Sequence, residues 1–147
     1  MECVIKKFND LNTKELYDLL QLRFRVFVVE QKCFYDEVDG RDFECFHLLG
    51  YENGELVAYL RILPRGISFA EVSIGRVAVR EDSRTNGWGK LILGKAMAFI
   101  SEEMNEKEVR IEAQSYLKKF YESFGFKQTS EPFLDEGVEH IEMFKGE

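Results

Sequence analysis

The segment Gly75–Lys90 constrains this chain most, because an apolar strand pattern runs into a turn with two glycines and then into a helix pattern. Such a junction places successive backbone N–H groups at the positive end of a helix dipole, and glycines let a ligand approach the backbone closely. Arg84 and Lys90 add positive charge. The segment therefore predicts a binding site for a phosphate-bearing ligand over Arg84–Lys90.

The spacing of this turn excludes two common phosphate-binding motifs. A P-loop requires a glycine five residues before Gly89, where Arg84 stands, and a Ser or Thr after Lys90, where none is found. A dinucleotide-binding fingerprint requires a glycine three residues after Gly89, where Ile92 stands. The turn is neither of these motifs.

The rest of the chain has a mixed α/β pattern. Only two prolines occur and no Ser/Gly linker or repeat interrupts the sequence, which indicates one domain over residues 1–147. The Asn53-Gly54 pair between two apolar runs predicts a hairpin. The predicted strands are Glu2–Phe8, Phe46–Tyr51, Leu56–Leu63, Val72–Val79, Val109–Ala113 and His140–Phe144. The predicted helices run from an Asn12 cap to near Val28, over Gly87–Glu103 and over Tyr116–Phe124.

The first helix and the segment after it differ sharply in composition. Asn12 followed by Glu15 is typical of a capping box. The following apolar residues recur at helical spacing and should form one buried face: Leu16, Leu19, Leu20, Phe24 and Phe27. The segment Glu30–Glu44 is polar and rich in acidic residues, which predicts a long loop, and loops of that length are often functional.

Charge and cysteine content exclude several classes of protein. A net charge of −7 argues against nucleic-acid binding, which depends on a basic surface. No apolar run is long enough for a signal peptide or a membrane span. Cys3, Cys33 and Cys45 are odd in number and lack CxxC spacing, so neither disulfides nor a metal site is expected. We expect a cytoplasmic protein without a membrane partner.

Two motifs in this chain resemble those of the GNAT acyltransferase family. Arg84-x-x-Gly87-x-Gly89 resembles the pyrophosphate-binding motif of that family, and Phe120–Phe126 resembles its second signature, a Tyr on a short helix before a Gly-Phe pair. One predicted strand separates the two motifs, as the family requires. Thr85 stands where members often carry another glycine, so the turn should be more rigid here.

The resemblance extends to the ElaA-like branch of the family and covers nearly the whole chain. The matching segments are Leu22-Arg23, Val26–Gln31, Asp39-Gly40, His47, Leu56–Ala58, Ala113-Gln114 and Gly137–His140. The resemblance implies a central mixed, mostly antiparallel sheet flanked by helices. The sheet should splay between Val72–Val79 and Val109–Ala113, where the cofactor would enter.

The resemblance also implies an acetyltransferase that moves an acetyl group from acetyl-CoA to a primary amine by direct transfer. The pantetheine arm would lie beside the strand at Val77–Val79, and Tyr121 would protonate the leaving thiolate. The implied cofactor-binding residues are Val77, Ala78, Val79, Arg84, Thr85, Asn86, Gly87, Trp88, Gly89, Lys90, Gln114, Phe120 and Tyr121.

The general base is left open by the sequence. Glu30 and His140 are the candidates, with His47 behind them and a water relay as an equal competitor. Three arginines are candidates for lining the acceptor pocket and favouring an anionic group, with surface roles equally open: Arg23, Arg61 and Arg76.

Acceptor and partners are also left open. A small-molecule amine is favoured over a protein amine, and an amino sugar, a polyamine, an amino acid or an antibiotic amine would each fit. A homodimer is one option. The alternative function is a non-catalytic acyl-CoA-binding or regulatory module, against which the presence of Tyr121 argues.

Overall fold

The computed structural model describes residues 1–146, which contain eight strands and three α-helices. The strands are β1 (Glu2–Lys7), β2 (Phe46–Glu52), β3 (Glu55–Leu63), β4 (Ser73–Val79), β5 (Val109–Gln114), β6 (Lys127–Gln128), β7 (Phe133–Asp135) and β8 (Val138–Lys145). The helices are α1 (Thr13–Arg23), α2 (Trp88–Glu102) and α3 (Lys118–Glu122). Short 3₁₀ turns cover Phe8–Asp10, Asp42–Glu44, Glu81–Asn86 and Ser115–Leu117. All six predicted strands are present, whereas β6 and β7 were not predicted.

The strands form two antiparallel sheets that are joined at one parallel bridge and diverge beyond it. β1, β2, β3 and β4 follow one another in the first sheet, and β8 lies between β5 and β6 in the second sheet and also pairs with β7. A parallel bridge between Val72 and Val109 joins β4 to β5, with the Arg110 N–H donating to the Val72 carbonyl at 3.0 Å. Among residues 1–146 this is the only parallel pairing. The predicted splay between these two strands is confirmed.

The two long helices lie on opposite faces of the first sheet, because each has one apolar face to bury. Buried residues of α1, Leu19 and Leu22, pack with Leu49, Tyr59 and Ala78 of the sheet. The larger core on the other face joins α2 to both sheets, and its members include Ile92, Leu93, Ala96, Leu48, Leu60, Ile111 and Met143. No helix within residues 1–146 is both long and apolar enough to cross a bilayer.

Helix α1 begins as predicted but ends differently. The Glu15 N–H donates to Asn12 Oδ1 at 2.7 Å and the Asn12 N–H donates to Glu15 Oε1 at 2.9 Å, so the capping box is confirmed. After Arg23 the chain continues in π-helical turns over Phe24–Glu30. The Phe24 N–H donates to the Leu20 carbonyl, so Phe24 keeps the α-helical phase of α1 and lies beside the buried face of Leu19, Leu22 and Arg23. Phe24, predicted to be buried, is 40% exposed, and Val26 is buried instead.

The acidic segment after this helix is a loop, as predicted, but it is fixed by buried ion pairs. Arg23, which is fully buried, donates to Glu37 Oε2 at 2.6 Å and to Asp42 Oδ1 at 2.8 Å. Arg61 binds Asp42 at 3.0 Å and Asp39 at 2.6 Å. Six residues form this arginine network: Arg23, Arg61, Arg76, Glu37, Asp39 and Asp42.

The arginine network should make the fold sensitive to acid. Burial opposes ionisation of Asp39 and Asp42, but hydrogen bonds and charge from Arg61 and Arg23 prevail and lower the pKa of both carboxyls. Because the folded state then binds protons more weakly than the unfolded state, the stabilisation is present above the unfolded pKa of about 3.9 and is lost as the pH falls below it. We expect the free energy of unfolding in urea to fall steeply below about pH 4.

A single variant isolates one part of this effect. Asp39→Asn should be less stable than the wild type at pH 7, because Arg61 loses an ion pair. The difference should shrink as the pH falls below about 4. Urea unfolding of both proteins at several pH values measures it. A difference that stays constant with pH would contradict the assignment.

Candidate active site

A cleft of about 940 Å³ opens where β4 and β5 diverge. It brings together many of the residues that the sequence singled out, although they lie far apart along the chain. Those that line it include Glu30, Arg61, Arg76, Val77, Val79, Arg84, Gly89, Gln114, Phe120, Tyr121 and His140, whereas Arg23 does not. A pocket of this size fits the usual range for small-molecule sites.

Strand β4 carries a bulge beside the cleft. Tyr59 pairs with Ala78 and Arg61 pairs with Gly75, so two residues of β4 oppose one residue of β3. Arg76, in the bulge, has a φ of 52°. This conformation is rare outside glycine, and a bulge is one of the places where it occurs. The bulge changes which side chains and backbone groups of β4 turn towards the cleft.

Beyond the bulge, the backbone N–H and C=O groups of successive residues point alternately towards β3 and away from it. The Arg80 N–H donates to the Val57 carbonyl of β3 at 2.8 Å. The polar groups of the preceding residue, Val79, therefore point away from β3. The Val79 carbonyl indeed accepts a hydrogen bond from Arg84 Nε at 2.9 Å. The side chain of Ala78 is buried in the α1 core, so only its backbone could contact a cofactor.

The predicted phosphate cradle lies at the start of α2. Gly87 precedes the helix with a φ of 74°, and no side chain caps the helix. Such a φ favours glycine. The Leu91 N–H donates to the Gly87 carbonyl at 3.2 Å. The N–H groups before it lie at the uncapped end of the helix, where an anion binds readily. Thr85, Asn86 and Lys90 are exposed around this turn, and Trp88 is half-buried against the core.

Arg84 is held at the edge of the cradle by two partners. Besides the Val79 carbonyl, it binds Glu30 Oε2 at 2.6 Å. Glu30, one candidate base, therefore lies next to the cradle with its charge matched by a guanidinium. An anion that bound here would compete with Glu30 for Arg84.

Tyr121 lines the cleft, and neighbouring aromatic rings hold its ring in place. Its ring packs edge-on against Phe120 at 5.2 Å and Phe126 at 5.9 Å between centroids. Burial, with a small contribution from Tyr116, raises the pKa of its hydroxyl to about 12. The hydroxyl has no hydrogen-bond partner within residues 1–146, so it is a neutral donor available to a ligand in the cleft.

The two histidines have very different surroundings. His47 is fully buried, with Nδ1 2.6 Å from the Tyr59 hydroxyl and Nε2 2.9 Å from the Asp42 carbonyl, and burial lowers its pKa. It does not line the cleft. His140 does, with Nδ1 2.7 Å from the Val138 carbonyl and its ring stacked on Phe133.

The arginines considered for anion recognition are matched by carboxylates. Arg23 and Arg61 are buried within the arginine network, and Arg76 binds Glu37 Oε2 at 2.8 Å. Since three acids face three arginines, the network carries no surplus positive charge with which to attract an anionic acceptor.

Sequence reasoning missed two acidic residues of the cleft, Glu112 on β5 and Asp135 on β7. Polar atoms of Glu112, Asp135 and His140 all lie within 4.8 Å of one another. Partial burial and the neighbouring Asp135 raise the pKa of Glu112 to about 8. The alternation Val-Arg-Ile-Glu-Ala-Gln along β5 is the signal that could have found Glu112, because it places this residue on the same face as Gln114.

Comparison with known proteins identifies the family. Residues 12–146 match the acetyltransferase (GNAT) domain. The chain belongs to the GNAT acetyltransferase family. The GNAT fold supports acyl transfer from CoA to an amine. Residues of the turn before α2, of β4 and of α3, Tyr121 among them, line one cleft.

Relatives of this GNAT chain match it over nearly its full length. A UPF0039 protein of Schizosaccharomyces pombe is 45% identical over 145 residues, 97% of this chain and 95% of the relative. The crystal structure of ElaA from Escherichia coli is 40% identical, covers 98% of both chains and has a TM-score of 0.91. The crystal structure of an acyl-CoA N-acyltransferase from Pseudomonas aeruginosa is 38% identical, covers 99% of both chains and has a TM-score of 0.93.

Proposed function

We propose that this protein transfers an acetyl group from acetyl-CoA directly to a primary amine of a small molecule. The observation that carries the proposal is the juxtaposition, in one cleft, of an uncapped helix start, a bulged strand edge and the unpartnered Tyr121 hydroxyl. These are the three parts that a pyrophosphate, a pantetheine arm and a leaving thiolate require.

Each part of the cleft has a role in the proposed reaction. The N–H groups at the start of α2 bind the pyrophosphate, and the Val79 N–H, which points away from β3, stabilises negative charge on the thioester oxygen. The amine nitrogen forms the new C–N bond as the C–S bond breaks, and the nitrogen then releases its surplus proton to solvent to give the neutral amide. Tyr121 donates its proton to the thiolate and regains one from solvent.

A panel of amines tests the proposal. Glucosamine, spermidine, lysine and kanamycin represent the four acceptor classes, and CoA release with acetyl-CoA as donor measures turnover. We expect turnover of at least one amine. Tight binding of acetyl-CoA without turnover of any of them would instead support the non-catalytic acyl-CoA-binding module.

The cradle assignment predicts a large loss of affinity in Gly87→Glu. The new carboxylate would lie where the pyrophosphate binds, and we expect the Kd for acetyl-CoA to rise about tenfold or more, roughly 1.4 kcal/mol or more. Isothermal titration calorimetry measures this effect.

Gly54→Glu is the matched control. Gly54 has a φ of 80° against 74° at Gly87, and neither site has a heavy atom within 4 Å of an added Cβ. Both variants therefore carry a similar backbone cost of about 1–2 kcal/mol. Gly54 lies in the β2–β3 turn, outside the cleft. Equal affinities in the two variants would show that the pyrophosphate binds elsewhere.

A further inference from the structure

The face of the second sheet that points away from the α2 core carries a set of polar side chains. On β5, Val109, Ile111 and Ala113 are buried, so the alternate residues Arg110, Glu112 and Gln114 face the other way. On β8, His140 pairs with Gln114 and Glu142 pairs with Glu112, which puts both on that same face.

The acids on this side of the sheet differ in how their charge is matched. Glu142 binds Arg110 at 3.0 Å. Glu112 and Asp135 have no ion-pair partner within residues 1–146, although Arg41 lies near enough to favour ionisation of Glu112 slightly. Two carboxylates in contact without a cation repel each other, and either a shared proton or a bound cation relieves the repulsion.

The position of this carboxyl pair connects it to the reaction. Glu112, Asp135 and His140 line the same cleft as Tyr121, the proposed acid. An amine acceptor arrives as an ammonium ion and must lose a proton before it can attack. The cleft thus places an unmatched pair of carboxylates where a cationic substrate and a proton acceptor are both required.

We propose that Glu112, acting together with Asp135, is the general base that takes the proton of the acceptor ammonium. The assignment rests on the proposed acetyl transfer. The N–H bond of the ammonium breaks, its electron pair stays on nitrogen for attack on the thioester, and the proton moves to a Glu112 carboxylate oxygen. The proton leaves to solvent after turnover, with the free Nε2 of His140 as a carrier.

The titration of the pair suits this role. Partial burial and the Asp135 carboxyl raise the pKa of Glu112 to about 8, Glu142 across the strand pair adds to the effect and Arg41 opposes it. A base works best when its pKa lies near the working pH. The other candidates are less suited, because Glu30 is paired with Arg84 and His47 is buried.

Glu112→Gln tests the assignment, with Glu142→Gln as its matched control. Both variants remove one negative charge from the same face of the sheet, but Glu142 is paired with Arg110 and lies outside the cleft. With the best amine of the panel, we expect kcat/KM of Glu112→Gln at pH 7.5 to fall about a hundredfold or more, and that of Glu142→Gln to stay within about twofold of the wild type.

The pH profile supplies a signature that a structural role would not give. Wild-type kcat/KM should level off above about pH 8. In Glu112→Gln, kcat/KM should keep rising about tenfold per pH unit towards the amine pKa of about 10.4, because the fraction of neutral amine then limits attack. Glu112→Gln should also bind acetyl-CoA normally and melt no lower than the wild type, since it removes a repelling charge.

Carboxyl-detected NMR titration examines the pair without any acceptor. We expect a glutamate signal that titrates near pH 8, disappears in Glu112→Gln and moves towards the ordinary range in Asp135→Asn. Three results would each overturn the assignment. One is titration of Glu112 near pH 4.5. The others are a pH profile of kcat/KM in Glu112→Gln like that of the wild type, and activity that is lost to EDTA and restored by Mg²⁺. Acetyl-CoA binding without turnover by the wild type would instead overturn the proposed function.

Discussion

Replacing Tyr121 with Phe should lower kcat by about a hundredfold or more and leave the affinity for acetyl-CoA unchanged. The hydroxyl matters only once negative charge develops on sulfur, and loss of a general acid of that size corresponds to roughly 3 kcal/mol of barrier. The ring contacts with Phe120 and Phe126 remain, and no hydrogen-bond partner within residues 1–146 is left unpaired.

Tyr116→Phe is the control for this prediction. Tyr116 also lines the cleft, but it is 75% exposed, and the loss of its hydroxyl should change kcat little. CoA release at saturating amine gives kcat for both variants, and their melting temperatures verify that each is folded. If Tyr121→Phe kept the wild-type kcat, Tyr121 would be only a core aromatic residue.

The largest expected loss of stability follows from removing the charge of Glu37. This fully buried carboxylate accepts from Arg23 at 2.6 Å, from Arg76 at 2.8 Å and from the Tyr35 hydroxyl at 2.8 Å. Glu37→Gln leaves Arg23 buried with Asp42 as its remaining acid. Since removing one member of a buried pair costs about 3–5 kcal/mol, we expect a loss of about 3 kcal/mol in the free energy of unfolding.

Glu55→Gln provides the comparison on the surface. Glu55 binds Arg80 at 2.9 Å, with its side chain 69% exposed. Such pairs contribute about 0–1 kcal/mol, and urea unfolding at pH 7 measures both variants. Adding Arg23→Met to Glu37→Gln should recover part of the lost stability, because the unpaired guanidinium is removed. Similar losses in Glu37→Gln and Glu55→Gln would contradict the importance of burial.

The elements that the sequence predicted are those encoded by neighbouring residues. The capping box at Asn12 and Glu15 and the hairpin at Asn53-Gly54 depend on local backbone geometry, and the structure contains both. The strands β6 and β7, with two and three residues, are too short to show an alternating pattern. The π turns after Arg23 leave no local signature, and Phe24 lies beside the buried face of α1 although its spacing suggested that it belongs to that face.

The parts of the site that escaped prediction depend on contacts between distant residues. Glu37 belongs to a polar loop and looks solvated, yet Arg23 and Arg76, 14 and 39 residues away, hold it in the interior. Glu112 meets Asp135 only because β7 folds back on β8. The turn before α2 and the short helix with Tyr121 could be located from the sequence because each is part of a continuous motif, and their roles remain predictions.

The divergence of β4 and β5 also bears on self-association. Strand edges without a neighbour are templates for pairing with another chain. Beyond the bridge between Val72 and Val109, β4 and β5 each have such an edge, but these edges face each other across the cleft instead of the outer surface. The bulge at Arg76 further interrupts the edge of β4. The divergence that opens the binding cleft thereby keeps the unpaired edges of β4 and β5 from pairing with strands of another chain.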